Sequence, residues 1–467
     1  MAANHPTLSP KATFQVPGSE DTPSSLLDRW SNTYISLPAA VAVPQTENDL
    51  SILVAYAKKH GLTIVAVAGK HLASVTITSK TLYVNMKSFD TIHIDEAVRT
   101  VTFGGGVTTG PLLDALSEAG YYTSLPNTNS VGMVGAFLGG GSSSLNSVSG
   151  FMIDQAIAAR VVTAEGKSLI LGHDSKGEEA ALWNALRGAG HGLGIISSLT
   201  LRIHPIADLH LNDGKYWDRT LIFPGPAIGI ATATFARLQP VRGPIALKLL
   251  LMRSPPGTPA PGSPIAVLTA AYFGPSAEAE KALMPLLDPE VEDAAVQAAI
   301  SSLPVAAMND ATKMTETRGG MKRSEATLLA QPVGAGTIQR SYERFLKLGD
   351  DCPDARFGAV VYFAFDSRML GAAPDTGALF EGRKTSCILY HDIWFTEEAS
   401  EQAVDAYLPQ AIAIAGEGES APLRRFANFF RHPAILEETY SAERIAEKKR
   451  VKGVWDAENV FWTPGLQ

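Results

Sequence analysis

The order of apolar and polar residues near the start of the chain predicts short strands that alternate with helices. AVAVP at 40–44 and LTIVAVAG at 62–69 are apolar runs of strand length. Between them, ENDLSILVAYAKKHG at 47–61 repeats apolar residues at helical spacing, begins with acidic residues and ends in glycine. Further strand-like runs and one helix-like run follow in TLYVNM, TIHID, VRTVTFGGG and PLLDALSEAG. This part of the chain, up to about residue 205, is therefore predicted to be an α/β unit.

From about Ala207 the pattern changes to longer strands and separate helices, with proline-rich breaks such as PPGTPAPGSP at 255–264. The strand candidates are rich in branched and aromatic residues: ALKLLLM, IAVLTAAYFG, GAVVYFAF and SCILYHDIWF. The helix candidates are SAEAEKALMPLL, TIQRSYERFLKL and EEASEQAVDAYLPQAIAIAG. Together they predict one large, mainly antiparallel sheet covered by helices on one side, so the fold class of the protein is expected to be α+β.

Length, charge and cysteine content narrow the kind of partner. At 467 residues the chain exceeds a single ordinary core, and 45% apolar residues can fill two or three. A formal net charge of -8 argues against nucleic acid and against an anionic membrane surface, which both reward clustered Lys and Arg. Cys352 and Cys387 have no disulfide or zinc spacing, so buried thiols and no metal are expected. A small organic molecule is therefore the expected partner.

Targeting signals are not evident in the sequence. MAANHPTLSPKATFQVPGSEDTPSS at the start has neither the basic head nor the apolar core of a signal peptide. No later apolar run approaches the roughly 18 residues of a membrane span. We therefore expect a cytoplasmic protein that does not enter a membrane, and the sequence leaves its oligomeric state open.

Three glycine-dense stretches stand out, at 104–110, 131–144 and 187–196. Glycine lets the backbone approach a ligand closely and present N–H groups to it, although each stretch alone is also typical of a tight turn. EGKS is not part of a P-loop, because Val161 stands where that motif needs glycine. GAGHGLG is not a Rossmann fingerprint, because Leu193 takes the place of its third glycine. A nucleotide bound here would need another fold.

The order and spacing of four blocks resemble a known family. The blocks are AVAVPQTENDLSILVAYAKKHGLTIVAVAGKH, GGGVTTGPLLDAL, VGMVGAFLGGGSS and ALWNALRGAGHGLGIISSLTLRIHP, and RRFANFF and WDAENVF near the end extend the resemblance. They are similar to the FAD-linked oxidases of the vanillyl-alcohol oxidase superfamily, in the fungal part of its berberine-bridge-enzyme-like branch. The resemblance implies a split, two-subdomain, PCMH-type FAD-binding domain, residues 1–205 and 425–467, around a substrate-binding domain, residues 206–424.

The resemblance gives His71 a role. In the family, a histidine in a G-G-G-H-S loop is joined covalently to the 8α-methyl carbon of the flavin. Here the loop reads AGKHLAS, so Lys70 replaces a glycine and Leu72 replaces the serine. A monocovalent bond through His71 and an ordinary loop histidine both stay open. The family's second covalent anchor, a cysteine, corresponds to Thr128, which has no thiolate, so bicovalent attachment is excluded.

Further cofactor contacts are implied by the same resemblance. Backbone N–H groups of the loops at 68–72 and 131–144 would hold the pyrophosphate. Val131 stands where a small side chain leaves room for dioxygen at the flavin, and Asn428 is expected near the polar edge of the flavin or bonded to backbone. The full set of expected FAD contacts is His71, Ala68, Gly69, Lys70, Leu72, Val131, Gly132, Gly135, Gly139, Gly140, Gly141, Gly104, Gly188, Gly190, Ile195 and Asn428.

The catalytic base is harder to place. Phe426 and Phe429 occupy the two tyrosine positions of the family's Y-x-N-Y segment, and phenylalanine cannot accept a proton. Period-two alternation puts Tyr390 and Asp392 on one face of SCILYHDIWF, with Tyr362 on the strand candidate GAVVYFAF. These three residues, Tyr390, Tyr362 and Asp392, are the predicted catalytic groups.

Two functions of different class follow. The first is an FAD-dependent oxidase that takes two electrons from a small alcohol, phenol or amine, with hydride transfer to flavin N5 and reoxidation by O2 to H2O2, in fungal secondary metabolism. The second is a protein that has kept the flavin fold for a non-redox cyclisation or for binding, which the lost tyrosines and the altered loop would permit. The substrate itself is not named by the sequence.

Overall fold

The first sheet is built around a central strand that has one parallel neighbour on each side. The computed structural model describes residues 5–18, 28–372 and 377–466. Four strands, in the order β1-β2-β4-β3, form this sheet: β1 (Thr13–Gln15), β2 (Ala40–Val43), β3 (Thr63–Val67) and β4 (Thr81–Asn85). Strands β2 and β3 both run parallel to β4, and β1 runs antiparallel to β2.

Helix α1 (Glu47–His60) connects β2 to β3, as the sequence predicts. Its first turn is closed by a capping box, in which the Asp49 N–H donates to Thr46 Oγ1 at 3.1 Å and the Thr46 N–H donates to the Asp49 carboxylate at 3.0 Å. It ends at Gly61, which adopts φ 61°, a conformation that glycine reaches without a Cβ clash. The apolar face of α1 buries Leu50 and Leu53 in the core of this layer.

The second sheet has five strands in the order β5-β6-β10-β8-β9, all antiparallel to their neighbours. Its strands, with the pair β7 and β11 that lies beside it, are β5 (Ile92–Asp95), β6 (Thr100–Gly104), β7 (Tyr121–Tyr122), β8 (Ala156–Val162), β9 (Ser168–Gly172), β10 (Ile195–Arg202) and β11 (His204–Pro205). The helices of this region are α2 (Thr109–Glu118), α3 (Met133–Leu138), α4 (Asn146–Ser149) and α5 (Gly177–Ala189).

The third sheet is the large antiparallel sheet that the sequence predicts. Its order is β15-β12-β14-β13-β17-β18-β16-β19. The strands are β12 (Lys215–Pro224), β13 (Ile245–Arg253), β14 (Pro264–Tyr272), β15 (Gln297–Pro304), β16 (Met321–Leu329), β17 (Phe357–Phe365), β18 (Cys387–Phe395) and β19 (Arg424–Arg425). Strands β12, β15 and β16 were not among the sequence predictions; in β16, charged residues such as Lys322 and Glu325 interrupt the apolar pattern.

One face of this sheet is covered by helices and the other borders a cavity. The helices of the region are α6 (Ile228–Arg237), α7 (Ser276–Ala282), α8 (Pro289–Asp293), α9 (Ala335–Asp351), α10 (Arg368–Ala372) and α11 (Glu401–Ala415). Helices α6, α9 and α11 bury Phe235, Phe345 and Tyr407 against the inward side chains of the strands. The helical cover is therefore on one side only, as the strand pattern predicts.

The end of the described chain returns to the first sheet. Helix α12 (Ala442–Trp455) packs against α5, and the residues after it run beside β3. The Ile64 N–H donates to the Val460 carbonyl at 2.7 Å, and the Trp462 N–H donates to the Ile64 carbonyl at 3.0 Å. The domain boundaries at 205/206 and 424/425 stay predictions. Within the described ranges, no helix is long and apolar enough to cross a membrane.

Candidate active site

A cavity of about 700 Å³ lies between the glycine-rich loops and the uncovered face of the large sheet. This volume is within the usual range for small-molecule sites. One side of the cavity is formed by glycine-rich segments and another by strands of the large sheet. We call residues 68–72 and 131–141 the loop wall, and the cavity-facing side chains of β12, β13, β14, β16, β17 and β18 the sheet wall.

Two glycines let the halves of the loop wall touch. A Cβ on Gly69 would lie 2.2 Å from the Gly132 nitrogen, and a Cβ on Gly132 would lie 2.6 Å from the Gly69 nitrogen. Such distances are impossible for real atoms, so both positions require glycine for backbone contact. Ala68, Gly69, Lys70, His71, Leu72, Val131, Gly132, Gly135, Gly141, Ile195 and Asn428 all line the cavity.

His71 is held in one orientation at the cavity. Its Nε2 shares a hydrogen bond with Ser130 Oγ at 2.8 Å, and its ring stacks on Trp30 at 5.7 Å between centroids. No hydrogen bond from another described residue reaches Nδ1. Burial, with smaller contributions from the cations of Arg318, Lys322 and Arg29, lowers the pKa of His71 to about 3. The imidazole is therefore neutral near pH 7, with a lone pair on one ring nitrogen.

Trp30 and Lys70 support the histidine loop. The Trp30 N–H donates to the Lys70 carbonyl at 3.2 Å, and the Trp30 indole N–H donates to the Thr315 carbonyl at 2.7 Å. Lys70 has φ 61°, which glycine adopts more easily than lysine. The loop therefore keeps the backbone shape of a glycine-rich segment although Lys70 has a side chain. Nothing in the sequence pattern pointed to Trp30.

Asn428 binds the loop wall through its side chain. Its Nδ2 donates to the carbonyls of Gly135 at 3.2 Å and Ala136 at 2.8 Å, and its Oδ1 accepts from the Gly141 N–H at 3.2 Å. Of the two expectations for this residue, the structure shows the bonds to backbone. Asn428 thus fixes the end of α3 from the C-terminal part of the chain.

Five of the expected cofactor contacts do not line the cavity, and this part of the prediction is corrected. They serve chain packing instead: a Cβ would meet Phe89 at Gly104, Asn428 at Gly139, Phe380 at Gly140 and Gly188, and Leu186 at Gly190. Glycine density indicates close backbone approach, but the partner at these five positions is the protein itself. The neighbouring Gly105, His191, Gly192 and Gly194 line the cavity in their place.

The register of the sheet separates the three predicted catalytic residues. Val361 is paired with Tyr390, and Ala359 is paired with Asp392, so Tyr390 and Asp392 share the sheet wall. Tyr362 is paired with Leu389 and packs in the helix-covered core with Phe235. The prediction of Tyr362 as a catalytic group is therefore wrong. Alternation along each strand was read correctly, but the relative register of β17 and β18 cannot be read from either strand alone.

Asp392 is a carboxylate that can act as a base, because it lines the cavity and is ionised near pH 7. It accepts a hydrogen bond from Ser324 Oγ on the neighbouring strand. Burial raises its pKa to about 6, while the Ser324 hydrogen bond and the charge of Lys322 oppose that rise. It is therefore largely ionised near pH 7 and can still accept a proton. Burial raises the pKa of Tyr390, with a smaller opposing effect of Ser142, so this hydroxyl stays protonated and can donate.

Sequence reasoning missed several parts of the cavity. Lys248 and Asp218 lie on the sheet wall, on β13 and β12. The segment after β15 closes another side, where Asn309 Nδ2 donates to the Pro126 carbonyl and Thr312 Oγ1 donates to the Asn127 carbonyl. Lys248 is the charged residue within the apolar run ALKLLLM, and a charge at that position could have indicated a side chain that faces a cavity.

The loop wall fits a dinucleotide such as FAD. A Cβ added to Gly135 would meet no atom within 4 Å, so the space beside this exposed glycine belongs to the cavity. Ligand atoms can therefore approach the backbone there. His71 offers a neutral imidazole beside the same space. Within the described residues, no three His, Cys, Asp or Glu side chains are grouped as they would be around a metal ion.

Comparison with known proteins finds an FAD binding domain and FAD-linked relatives. Residues 38–172 match the family model described as FAD binding domain. The FAD-linked oxidoreductase fogF of Aspergillus ruber is 25% identical over 457 residues, covering 94% of this chain and 88% of the relative. The FAD-linked oxidoreductase fmqD of Aspergillus fumigatus is 32% identical over 205 residues, covering 43% of this chain and 41% of the relative.

Solved structures show the same fold. The chain is similar to 6-hydroxy-D-nicotine oxidase from Arthrobacter nicotinovorans, with a TM-score of 0.80, 18% identity and 100% of both chains covered. It is also similar to the BBE-like 1 protein of Physcomitrella patens, with a TM-score of 0.79, 16% identity and 97% and 96% of the two chains covered.

The matched FAD binding domain and the named relatives indicate an FAD-linked oxidoreductase. Residues 38–172 match the FAD binding domain, nearly the whole chain is similar to fungal FAD-linked oxidoreductases, and the fold is that of the berberine-bridge-enzyme-like structures. The predicted α+β class, the large antiparallel sheet and the oxidoreductase class are confirmed. The two sequence relatives named above are both from Aspergillus species, in agreement with the fungal branch that the sequence analysis expected.

Proposed function

We propose that this protein is an FAD-dependent oxidase of a small alcohol, phenol or amine. The observation that carries the proposal is the placement of Asp392 and Tyr390 across one cavity from His71 and Val131. FAD, when bound, accepts hydride from the substrate and passes the electrons to O2, which yields H2O2. A role in fungal secondary metabolism and a cytoplasmic location complete the proposal.

The protein's own groups prepare the substrate. Asp392 takes the hydroxyl, phenol or ammonium proton as the C–H bond is broken, because its carboxylate is ionised near pH 7 and faces the cavity. Tyr390 donates a hydrogen bond to the substrate's oxygen or nitrogen, and its ring is held edge-on by Phe429 at 5.3 Å. Ser324 orients the Asp392 carboxylate through its hydrogen bond.

The loop wall holds the cofactor in this proposal. Backbone groups of residues 68–72 and 131–136 bind it, and the neutral His71 imidazole is the candidate for a single covalent bond to the flavin. Val131, which lines the cavity and is half-buried, leaves a path for O2. Thr128 also lines the cavity, and its hydroxyl is no thiolate, so a second covalent bond is excluded.

A substrate screen tests the proposal. FAD-loaded protein is mixed without oxygen with a panel of alcohols, phenols and amines, and the oxidised-flavin band at about 450 nm is recorded. A true substrate bleaches that band, and admission of air restores it with formation of H2O2. Binding of a compound without bleaching, together with its cyclisation, would instead favour the non-redox function.

A further inference from the structure

Lys248 is a charged side chain on the sheet wall, at the far side from Asp392. It lies on β13 opposite Thr269 of β14 and Phe363 of β17, and all three line the cavity. Its Nζ donates to Ser144 Oγ at 3.1 Å and lies 5.3 Å from the centroid of the Phe363 ring. The oxidation assigned to Asp392 and Tyr390 makes no use of it.

The ammonium of Lys248 is incompletely satisfied by the protein. An ammonium has three donors, and Ser144 Oγ accepts one of them. Among the described residues no carboxylate lies within 4.0 Å of Nζ. Asp218 on β12 is the nearest negative group and lowers the electrostatic cost, but its own hydrogen bond comes from Thr220 Oγ1 at 3.3 Å. Burial lowers the pKa of Lys248 to about 8, so it is still mainly charged near pH 7.

Ser144 fixes the direction of the ammonium. Its N–H and its hydroxyl both donate to Asn127 Oδ1, at 2.6 Å and 2.9 Å, so its oxygen is free to accept from Lys248. Two donors of Nζ are thereby left for the cavity. A half-buried cation with unused donors is costly unless a ligand supplies the counter-charge.

The surroundings of Lys248 are otherwise apolar. Apart from Thr269, which is paired with Lys248 on β14, the nearest cavity side chains on its own strand, on β14 and on β17 are all apolar: Ala246, Leu250, Val267, Ala271, Val361 and Phe363. An apolar body can pack there while one charged group reaches Nζ. Strands β13 and β18 are two strand spacings apart, and Asp392 is four residues further along the sheet than Lys248, which separates their backbones by roughly 16 Å.

We propose that Lys248 is the counter-ion of a carboxylate, or of an equally acidic group, on the substrate, and that this group lies at the end of an apolar body remote from the oxidised carbon. The inference rests on the proposed function for the identity of the ligand as substrate. It adds that the substrate is an elongated anion. Lys248 is then a specificity-determining residue, whereas Asp392 and Tyr390 carry the chemistry.

Binding of benzoate to oxidised, FAD-loaded protein tests the proposal by calorimetry, with benzamide as the neutral analogue. The wild type should bind benzoate roughly 10- to 100-fold more tightly than benzamide, because a charged hydrogen bond forms only with the anion. Lys248→Met should remove that preference and Lys248→Arg should keep most of it. Lys215→Met, at an exposed lysine of the same sheet, should bind both compounds like the wild type.

The Asp218→Asn variant gives a second binding measurement, which is informative even if Lys248→Met does not fold. Removal of the neighbouring negative charge should tighten benzoate binding and leave benzamide binding nearly unchanged. Any one of four results would overturn the proposal. The wild type could bind both compounds equally, or could fail to bind benzoate at about 10 mM. The preference for benzoate could survive Lys248→Met, or Asp218→Asn could bind benzoate more weakly than the wild type. Because no turnover is needed, a protein that binds benzoate through Lys248 but never bleaches would overturn only the oxidase function.

Discussion

The loop wall of the cavity is made mainly of backbone, whereas the sheet wall is made of side chains. In the loop wall, Gly69 and Gly132 touch so closely that neither position admits a Cβ. In the sheet wall, polar groups such as Lys248, Tyr390 and Asp392 project from regular strands into the cavity. The loop wall suits one constant cofactor, and the sheet wall can vary its side chains without disturbing backbone pairing. Under the proposed function, cofactor specificity and substrate specificity therefore reside in different walls.

Replacement of His71 is the change that most sharply tests the loop wall. If the flavin is bonded to His71, acid precipitation of the wild type leaves the yellow colour in the pellet, and His71→Ala loses that colour completely to the supernatant. The variant should still fold, because the loop is shaped by the close backbone contact of Gly69 with Gly132 and by the Trp30 N–H bond to the Lys70 carbonyl, neither of which involves the imidazole. Flavin that washes out of the wild type would make His71 an ordinary loop histidine.

Replacement of Asp392 tests the sheet wall. Asp392→Asn should slow anaerobic flavin reduction by about 10²- to 10⁴-fold with FAD content unchanged, because the general base is lost. In the wild type the reduction rate should rise as pH rises through about 6, because the carboxylate must be ionised to accept a proton. Stopped-flow absorbance measures both effects, and the exposed carboxylate variant Asp174→Asn should behave like the wild type. An Asp392→Asn rate close to wild type would assign the base elsewhere.

Val131 lies on the loop wall but is proposed to act on oxygen. Val131→Leu adds a methylene beside the expected O2 path and should slow reoxidation of reduced flavin about tenfold, which is about 1.4 kcal/mol on that barrier. Reduction by substrate should change much less. The two half-reactions are measured separately by stopped flow, and equal slowing of both would remove Val131 from this role.

Tyr390 and Tyr362 lie on opposite faces of the large sheet, so their replacement compares the cavity face with the helix-covered face. Tyr390→Phe should lower the reduction rate by roughly two- to tenfold through loss of one substrate hydrogen bond. Tyr362→Phe should leave it unchanged, because Tyr362 lies in the helix-covered core. The same anaerobic assay serves both variants. A larger rate loss in Tyr362→Phe would contradict the face assigned to it.

Lys70 offers the smallest expected effect. Lys70→Gly should raise the free energy of unfolding by about 0.5–1 kcal/mol, because glycine adopts φ 61° without the steric cost that lysine has. Arg99→Gly is the matched control, since exposed Arg99 has φ 53° away from the cavity and should show a similar gain. Denaturant unfolding measures both. A loss of stability confined to Lys70→Gly would show that the lysine side chain itself stabilises the loop.

Prediction from sequence succeeded where a local pattern was sufficient. Helix α1, its glycine end and strands β2, β3, β17 and β18 followed from periodicity and end signals. The loop wall followed from the order of glycine blocks, since Gly69 and Gly132 fulfil a steric requirement that shows in the sequence as glycine itself.

Prediction failed where the relation between distant segments decides the outcome. Tyr362 and Tyr390 look equivalent along their own strands, and only the pairing of Val361 with Tyr390 assigns them to opposite faces. Gly188 and Gly140 look like ligand contacts, yet both leave room for Phe380. Trp30 reaches His71 from a segment with no motif. Each case depends on tertiary contacts that one sequence does not encode locally.

Two contacts between distant parts of the chain affect how the protein is made. Strand β3 pairs with residues 460–462, and the loop wall is bonded to Asn428. During translation the histidine loop emerges well before its supports, which lie much later in the sequence. A ribosome-bound chain that has not reached residue 428 lacks the amide that fixes Gly135, Ala136 and Gly141. We therefore expect a chain terminated before that point to be made colourless even when FAD is abundant.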